Sequence, residues 1–152
     1  MSNLVEEKDV TAVNLAVELE RAVIGYVLDE DGSIYVTEDG LFPFWIHIHQ
    51  GVGLVTFKTH TYFKKATSPV QRLEICNELN AQNFLLTAYV WDDMLCLDHA
   101  LMYRDGLLRE TFIRGCRQFA KAVEKGIDQV DPECSFVLPP GKTEAHDEQG
   151  GA

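Results

Sequence analysis

Residues 26 to 61 constrain the fold more than any other stretch of the chain. Short runs rich in β-branched and aromatic residues (Tyr26-Val27-Leu28, Ser33 to Thr37, Phe44 to His49, Leu54 to Thr61) are separated only by Asp29-Glu30-Asp31-Gly32, by Glu38-Asp39-Gly40 with Leu41-Phe42-Pro43 after it, and by Gln50-Gly51-Val52-Gly53. Such runs read as strands and such Asp/Gly clusters as tight turns. Connections this short cannot carry a crossover, so the pairing is antiparallel. The expectation is a three-stranded meander at 33–37, 43–49 and 54–61. In its middle strand Phe44, Ile46 and Ile48 point to one side and Trp45, His47 and His49 to the other.

Helical patterns flank the meander. With Asp9 as N-cap and Gly25 beyond the end, the first helix is expected from Val10 to Ile24. Steps of about 100° per residue collect Ala12, Leu15, Ala16, Leu19, Ala22 and Val23 on a core stripe. Val10, Val13, Val17 and Ile24 form a second, narrower stripe. A helix packed on one sheet needs a single stripe, so the second is surplus. Ser68-Pro69-Val70-Gln71 is a helix start with a capping box, and that helix runs through Leu73, Ile75, Cys76 and Leu79 to about Asn80–Asn83. Leu85 to Trp91, a turn at Asp92-Asp93, and Leu95 to Met102 read as a second hairpin. Leu108, Phe112, Cys116, Phe119, Val123 and Ile127 then recur at spacings of four and three, the pattern of a long amphipathic helix. The order α-β-β-β-α-β-β-α gives an α+β two-layer sandwich, an antiparallel sheet with helices on one face. Residues 1–130 are expected to form one domain. The Pro- and Gly-containing acidic tail, 131–152, is expected to be largely disordered, with Phe136-Val137-Leu138 able to dock back.

The chain has 152 residues, enough to bury a self-sufficient core, and a formal net charge of −11. The tail contributes −4 of this through Asp131, Glu133, Glu144, Asp147 and Glu148 against Lys142, so −7 belongs to the domain. A phosphate backbone is repelled by such a surface, which argues against nucleic acid. No apolar run reaches the roughly 20 residues a membrane helix requires. The start, Met1-Ser2-Asn3-Leu4-Val5-Glu6-Glu7, lacks the basic and apolar regions of a secretory signal. A cytoplasmic protein without membrane association is expected. Cys76, Cys96, Cys116 and Cys134 form no C-x-x-C pair or zinc spacing, and Cys76 and Cys116 fall on apolar helix faces as small hydrophobes.

The element order, the Asp-Glu-Asp-Gly turn after helix 1, Leu79-Asn80 and Asn83 closing helix 2, and Tyr103-Arg104-Asp105-Gly106 before helix 3 resemble the YbjN-domain family over about residues 8–128. That bacterial family is described as sensory-transduction regulators, with a fold similar to that of type III secretion chaperones. The resemblance implies a regulator with no catalytic residues to carry over. By fold analogy it implies a homodimer that holds an extended stretch of a client protein.

Two histidines at i and i+2 share a face, so His47 and His49 could reach one metal. If the apolar faces of the two strands match, Ile48 lies opposite Val55 and Ile46 opposite Phe57. His47 then faces Thr56 and His49 faces Leu54. His60 lies four residues beyond Thr56, roughly 13 Å along the strand, and cannot complete a site. The favoured reading places the pair on an open sheet face, where imidazoles titrate near neutral pH. Acidic residues at 29–31 and 92–93 lack calcium-loop spacing and are explained as turn chemistry. No nucleophile elbow or phosphate loop is present. Neither a cofactor nor an enzymatic activity is expected. What remains is surface hydrophobicity: Trp45, Tyr89 and Trp91 on the sheet, with Val10, Val13, Val17 and Ile24 on helix 1, as an interface for a protein partner and for homodimerisation. The alternative function is a pH- or metal-responsive sensor built on His47 and His49.

Overall fold

A computed structural model describes residues 2–144. The fold is α+β. The elements are β1 (Leu4–Val5), α1 (Ala12–Arg21), β2 (Tyr26–Leu28), β3 (Ile34–Val36), β4 (Phe44–His49), β5 (Leu54–Tyr62), α2 (Pro69–Gln82), β6 (Thr87–Trp91), β7 (Met94–Met102), β8 (Leu107–Leu108) and α3 (Arg109–Val130). Six strands form a sheet in the order β2-β3-β4-β5-β7-β6, and β1 pairs with β8 separately. Pairing is antiparallel from β2 through β5. The expected meander is therefore present with Tyr26–Leu28 as an additional strand. The chain divides into two compact units, Met1–Thr59 with Asp98–Lys121, and His60–Leu97 with Ala122–Ala152.

In the first unit the β4–β5 register is the expected one: Ile46 pairs with Phe57, His47 with Thr56, Ile48 with Val55 and His49 with Leu54. Alternation sends Ile34, Val36, Phe44, Ile46, Val55 and Phe57 into the core, where all six are buried. Helix residues Leu15, Leu19, Phe112, Cys116 and Phe119 are buried in the same unit. The Phe57 ring lies 5.6 Å from Phe44, 6.2 Å from Phe112 and 5.7 Å from Phe119. Gly115 lets α3 sit close to this cluster, because a Cβ there would stand 3.1 Å from the Phe57 ring.

The boundaries of α1 differ from expectation, and the reason is local. A single 3₁₀ turn at Glu7–Asp9 occupies the expected start. Thr11, rather than Asp9, caps the helix, its hydroxyl accepting from Asn14 N at 3.2 Å. At the other end Val23 N–H donates to Glu20 O and Ile24 N–H to Leu19 O, the paired bonds of a Schellman stop. Val23 adopts a φ of 58° to make it, a position where glycine is usual and a β-branched residue is strained by about 1–2 kcal/mol. Val10 and Ile24 therefore lie outside the helix and are core residues, not parts of an outward stripe. The surplus stripe shrinks to Val13 and Val17, which are 62% and 38% exposed.

Buried Glu18, on α1, accepts hydrogen bonds from Arg109 and, at 3.2 Å, from Arg21. Arg109 also donates its backbone N–H to Asn3 O and its Nε to Ser2 O, which ties the β1–β8 pair to this ion pair.

In the second unit the capping box of α2 is present in full. Ser68 Oγ accepts from Gln71 N and Gln71 Oε1 accepts from Ser68 N. Ile75, Cys76 and Leu79 form its buried side. Asn80 reaches β6, the last strand of the sheet. Its amide donates to Ala88 O at 3.0 Å and its oxygen accepts from Ala88 N at 2.7 Å. Gly126 on α3 lets Leu79 approach, a Cβ there meeting the leucine at 3.0 Å.

The segment after α3 is docked, as the Phe136-Val137-Leu138 reading anticipated. Val137 bridges Phe63, Lys64 N donates to Phe136 O, and Leu138 N donates to Tyr62 O. Buried Asp131 holds the turn, its carboxylate accepting from the backbone N–H groups of Ser135, Phe136 and Val137. Thr67 Oγ1 donates to Phe136 O and Thr61 Oγ1 to Leu138 O. Of the tail expected to be largely disordered, 131–152, residues 131–144 are described and placed, and the part of that expectation that falls on 145–152 lies outside the described residues.

Candidate functional site: the open sheet face and two outward helix faces

On the first unit, alternation leaves the other face of the sheet half-exposed. Tyr35 pairs with Trp45 and Trp45 with Lys58. The Tyr35 and Trp45 rings lie 4.5 Å apart at 30°, and Lys58 approaches Asp98 at 4.0 Å. Two residue pairs along, on the same face, His47 faces Thr56, and the Thr56 hydroxyl is 2.9 Å from His49 Nε2. The two imidazole centroids are 6.4 Å apart. Among the described residues no three His, Cys, Asp or Glu side chains gather as metal ligands.

Partial burial holds the His47 pKa below its ordinary 6.5, helped by the Lys58 charge and opposed by Asp31. Burial likewise lowers that of His99, whose ring lies 6.2 Å from Phe57. A depressed folded-state pKa means that the unfolded chain takes up the proton first. The resulting stability is complete above pH 6.5 and is lost as the pH falls through the lower folded-state values. Urea unfolding at pH 7.5 and 5.5 is thus expected to give the lower midpoint at 5.5. His47→Gln with His99→Gln is expected to flatten the difference, and a slope unchanged in that variant would assign it elsewhere.

Trp45 and Tyr89 are half-exposed and Trp91 is exposed, so the three sheet aromatics named from the sequence do reach the surface. On α1, Val13 and Val17 do so as well. The sequence reading missed the outer side of α2. Val70 and Leu73 are 64% and 62% exposed, and Phe84, just past the helix end, is wholly so at 105%. At 100° per residue Val70, Leu73, Asn77 and Ala81 lie opposite Ile75, Cys76 and Leu79, so α2 carries apolar residues on two sides. Along one flank of this outer face runs a groove of about 640 Å³, lined by Leu73, Ile75, Val130, Phe136, Glu74 and Glu78 among others.

Cys76, Cys96, Cys116 and Cys134 form no disulfide among the described residues, and the first three are buried. Burial pushes the Cys76 thiol up to about 11 and raises that of Cys116 further, which keeps both protonated and unreactive. No helix among the described residues is long and apolar enough to cross a membrane.

Comparison with known proteins bears on the scaffold that presents these surfaces. Residues 11–132 match the model of a family described as "YbjN: Putative bacterial sensory transduction regulator". The solved structures with a similar fold include YbjN from E. coli, described as "a putative transcription regulator". It is 16% identical, with a TM-score of 0.69 over 84% of this chain and 95% of that one. Curated proteins give no match. A family model that spans most of the chain, and a fold shared along nearly the whole of a solved relative, lead to one conclusion: this chain belongs to the YbjN family.

Proposed function

We propose that this chain is a non-catalytic protein-binding module, a chaperone-like or regulatory scaffold of a bacterial cytoplasm, which assembles with a second copy of itself through the outer face of α1. The observation that carries the reading is the set of apolar side chains turned outward on regular helices. Val13 and Val17 on α1, and Val70 and Leu73 on α2, are placed there by helix periodicity. Apolar side chains exposed on neighbouring turns of a helix are candidates for interaction sites on small proteins. The family's description as regulators agrees with such a role. The buried thiols of Cys76, Cys96 and Cys116 suit a reducing compartment, and the net charge of −11 disfavours nucleic acid.

Light scattering tests the self-assembly directly. The wild type is expected to be a dimer and Val13→Asp with Val17→Asp a monomer, since two carboxylates facing their symmetry mates are strongly disfavoured in an apolar interface. Because both valines are solvent-exposed, circular dichroism of the variant should remain native. Global unfolding would place the stripe in the core and remove the interface. A second reading, a pH-responsive module, is favoured by the burial of His47 beside Lys58 and Asp31. Its metal-sensing version finds no third ligand among the described residues.

A further inference from the structure

We infer that the groove beside α2 takes a cationic amphipathic segment of a partner protein, with apolar side chains entering between Leu73, Val130 and Phe136 and lysine or arginine side chains meeting Glu74 and Glu78. This rests on the protein-binding reading above and names the chemistry of the partner.

The groove has an apolar interior built from three places in the chain. Ile75 and Leu73 come from α2, Val130 from the end of α3, and Phe136 from the docked segment. The Phe136 wall is fixed from both sides: its N–H is held by Asp131, and its carbonyl by Lys64 N and Thr67 Oγ1. A pocket wall anchored by three hydrogen bonds is preorganised, so a ligand meets no ordering cost there.

Charge selects the occupant. Glu74 and Glu78 stand one helical turn apart on the groove side of α2, an arrangement that repels by a few tenths of a kcal/mol in an isolated helix. Neither takes part in an ion pair with any described residue. Arg72, the one cation on α2, is turned away. Its guanidinium donates to Thr67 O and Asp92 O and lies 5.2 Å over the Phe63 ring. The rim is thus acidic on a chain of net charge −11, which attracts a basic partner over distance. A second copy would bring the same acidic rim and the same net charge. An acidic or neutral peptide would leave the two carboxylates unanswered.

Fluorescence anisotropy with two labelled helical probes tests this, one a leucine–lysine peptide and the other its leucine–glutamate counterpart. The wild type should bind the lysine probe and not the glutamate probe. Glu74→Lys with Glu78→Lys should weaken lysine-probe binding by about tenfold or more, as for charges that face one another in an interface. Leu73→Gln should do the same, and its exposure keeps the fold intact. Glu30→Lys with Asp39→Lys, which changes the net charge equally in the other unit, should leave binding within about twofold.

Equal loss in that control would reduce the effect to general electrostatics and overturn the assignment. So would binding that ignores Leu73→Gln, or a wild type that binds neither probe. Light scattering on the same samples separates the remaining case. If Leu73→Gln turns a dimer into a monomer and Val13→Asp with Val17→Asp does not, the occupant is a second copy and the cationic partner is excluded. If the peptide arms fail while the α1 variant still breaks a dimer, the groove assignment falls and the proposed function stands.

Discussion

Phe57→Ala is expected to cost about 3–5 kcal/mol of unfolding free energy, the range for emptying a buried phenylalanine site. Three other phenylalanine rings surround the position, Phe44, Phe112 and Phe119, each buried and within 6.2 Å of Phe57 between centroids. They come from a strand and two turns of one helix, elements whose backbones are fixed by their own hydrogen bonds, so the space cannot close by local collapse. Gly115 offers no side chain to fill it. The effect on the thermal midpoint is about 10 °C for a chain of this size. A midpoint near that of the wild type would mean that α3 can move onto the sheet, and that the close approach at Gly115 is not under constraint. Edge-to-face and stacked contacts add to the burial loss, since Phe57 meets Phe44 at 69° and Phe119 at 28° between ring planes.

The second large effect is expected at Asp131. Its carboxylate satisfies three backbone N–H groups, and the Val137 donor among them is buried. Charge-assisted bonds of this kind are about twice as strong as neutral ones, and leaving a buried donor unanswered costs about 1–3 kcal/mol. Asp131→Ala is therefore expected to destabilise the docked segment by about 2–3 kcal/mol. The loss need not be carried by the whole fold, because the segment can separate locally first. Amide exchange at Phe136, Val137 and Leu138 should rise by roughly 30- to 150-fold, each 1.4 kcal/mol being a factor of ten. Exchange in α2 and β6 should change much less. If the whole second unit exchanged faster, the segment would be an integral layer of the core rather than a latch. The same variant displaces Phe136 from the groove wall, so a change in lysine-probe affinity should accompany the exchange.

The sheet was legible in the sequence because its signals are local and repeated. Ile46 and Ile48 on one strand, and Val55 and Phe57 on the next, set apolar side chains against one another in a single paired register, and that is the register observed. Ser68, Pro69 and Gln71 each specify the same helix start for a different physical reason, and α2 begins there. The ends of α1 were harder. Asp9 and Thr11 are both good caps, and the choice between them is made by the 3₁₀ turn that takes up Asp9 as its last residue and has no periodic signature. The stop depends on Val23 accepting a left-handed backbone that its side chain disfavours, so glycine was looked for in the wrong place. That displacement moved Val10 and Ile24 from a supposed surface into the core.

Strands of two residues, such as β1 and β8, are too short to alternate and could not be read at all. The outer face of α2 escaped notice for a related reason. One apolar stripe per helix is satisfied by Ile75, Cys76 and Leu79, Leu73 is then absorbed into the same run, and Val70 is read only as part of the helix start. Asking whether the apolar residues of a helix span more than half its circumference would have separated them, as it did for the surplus valines of α1.

Asn80 has a consequence for what can pair with the β6 edge of the sheet. An outermost strand normally invites another polypeptide to lie beside it, and repetition of that step leads to fibres. Here one carboxamide fills both main-chain positions of Ala88, so an incoming backbone could add a rung at that residue only by displacing Asn80.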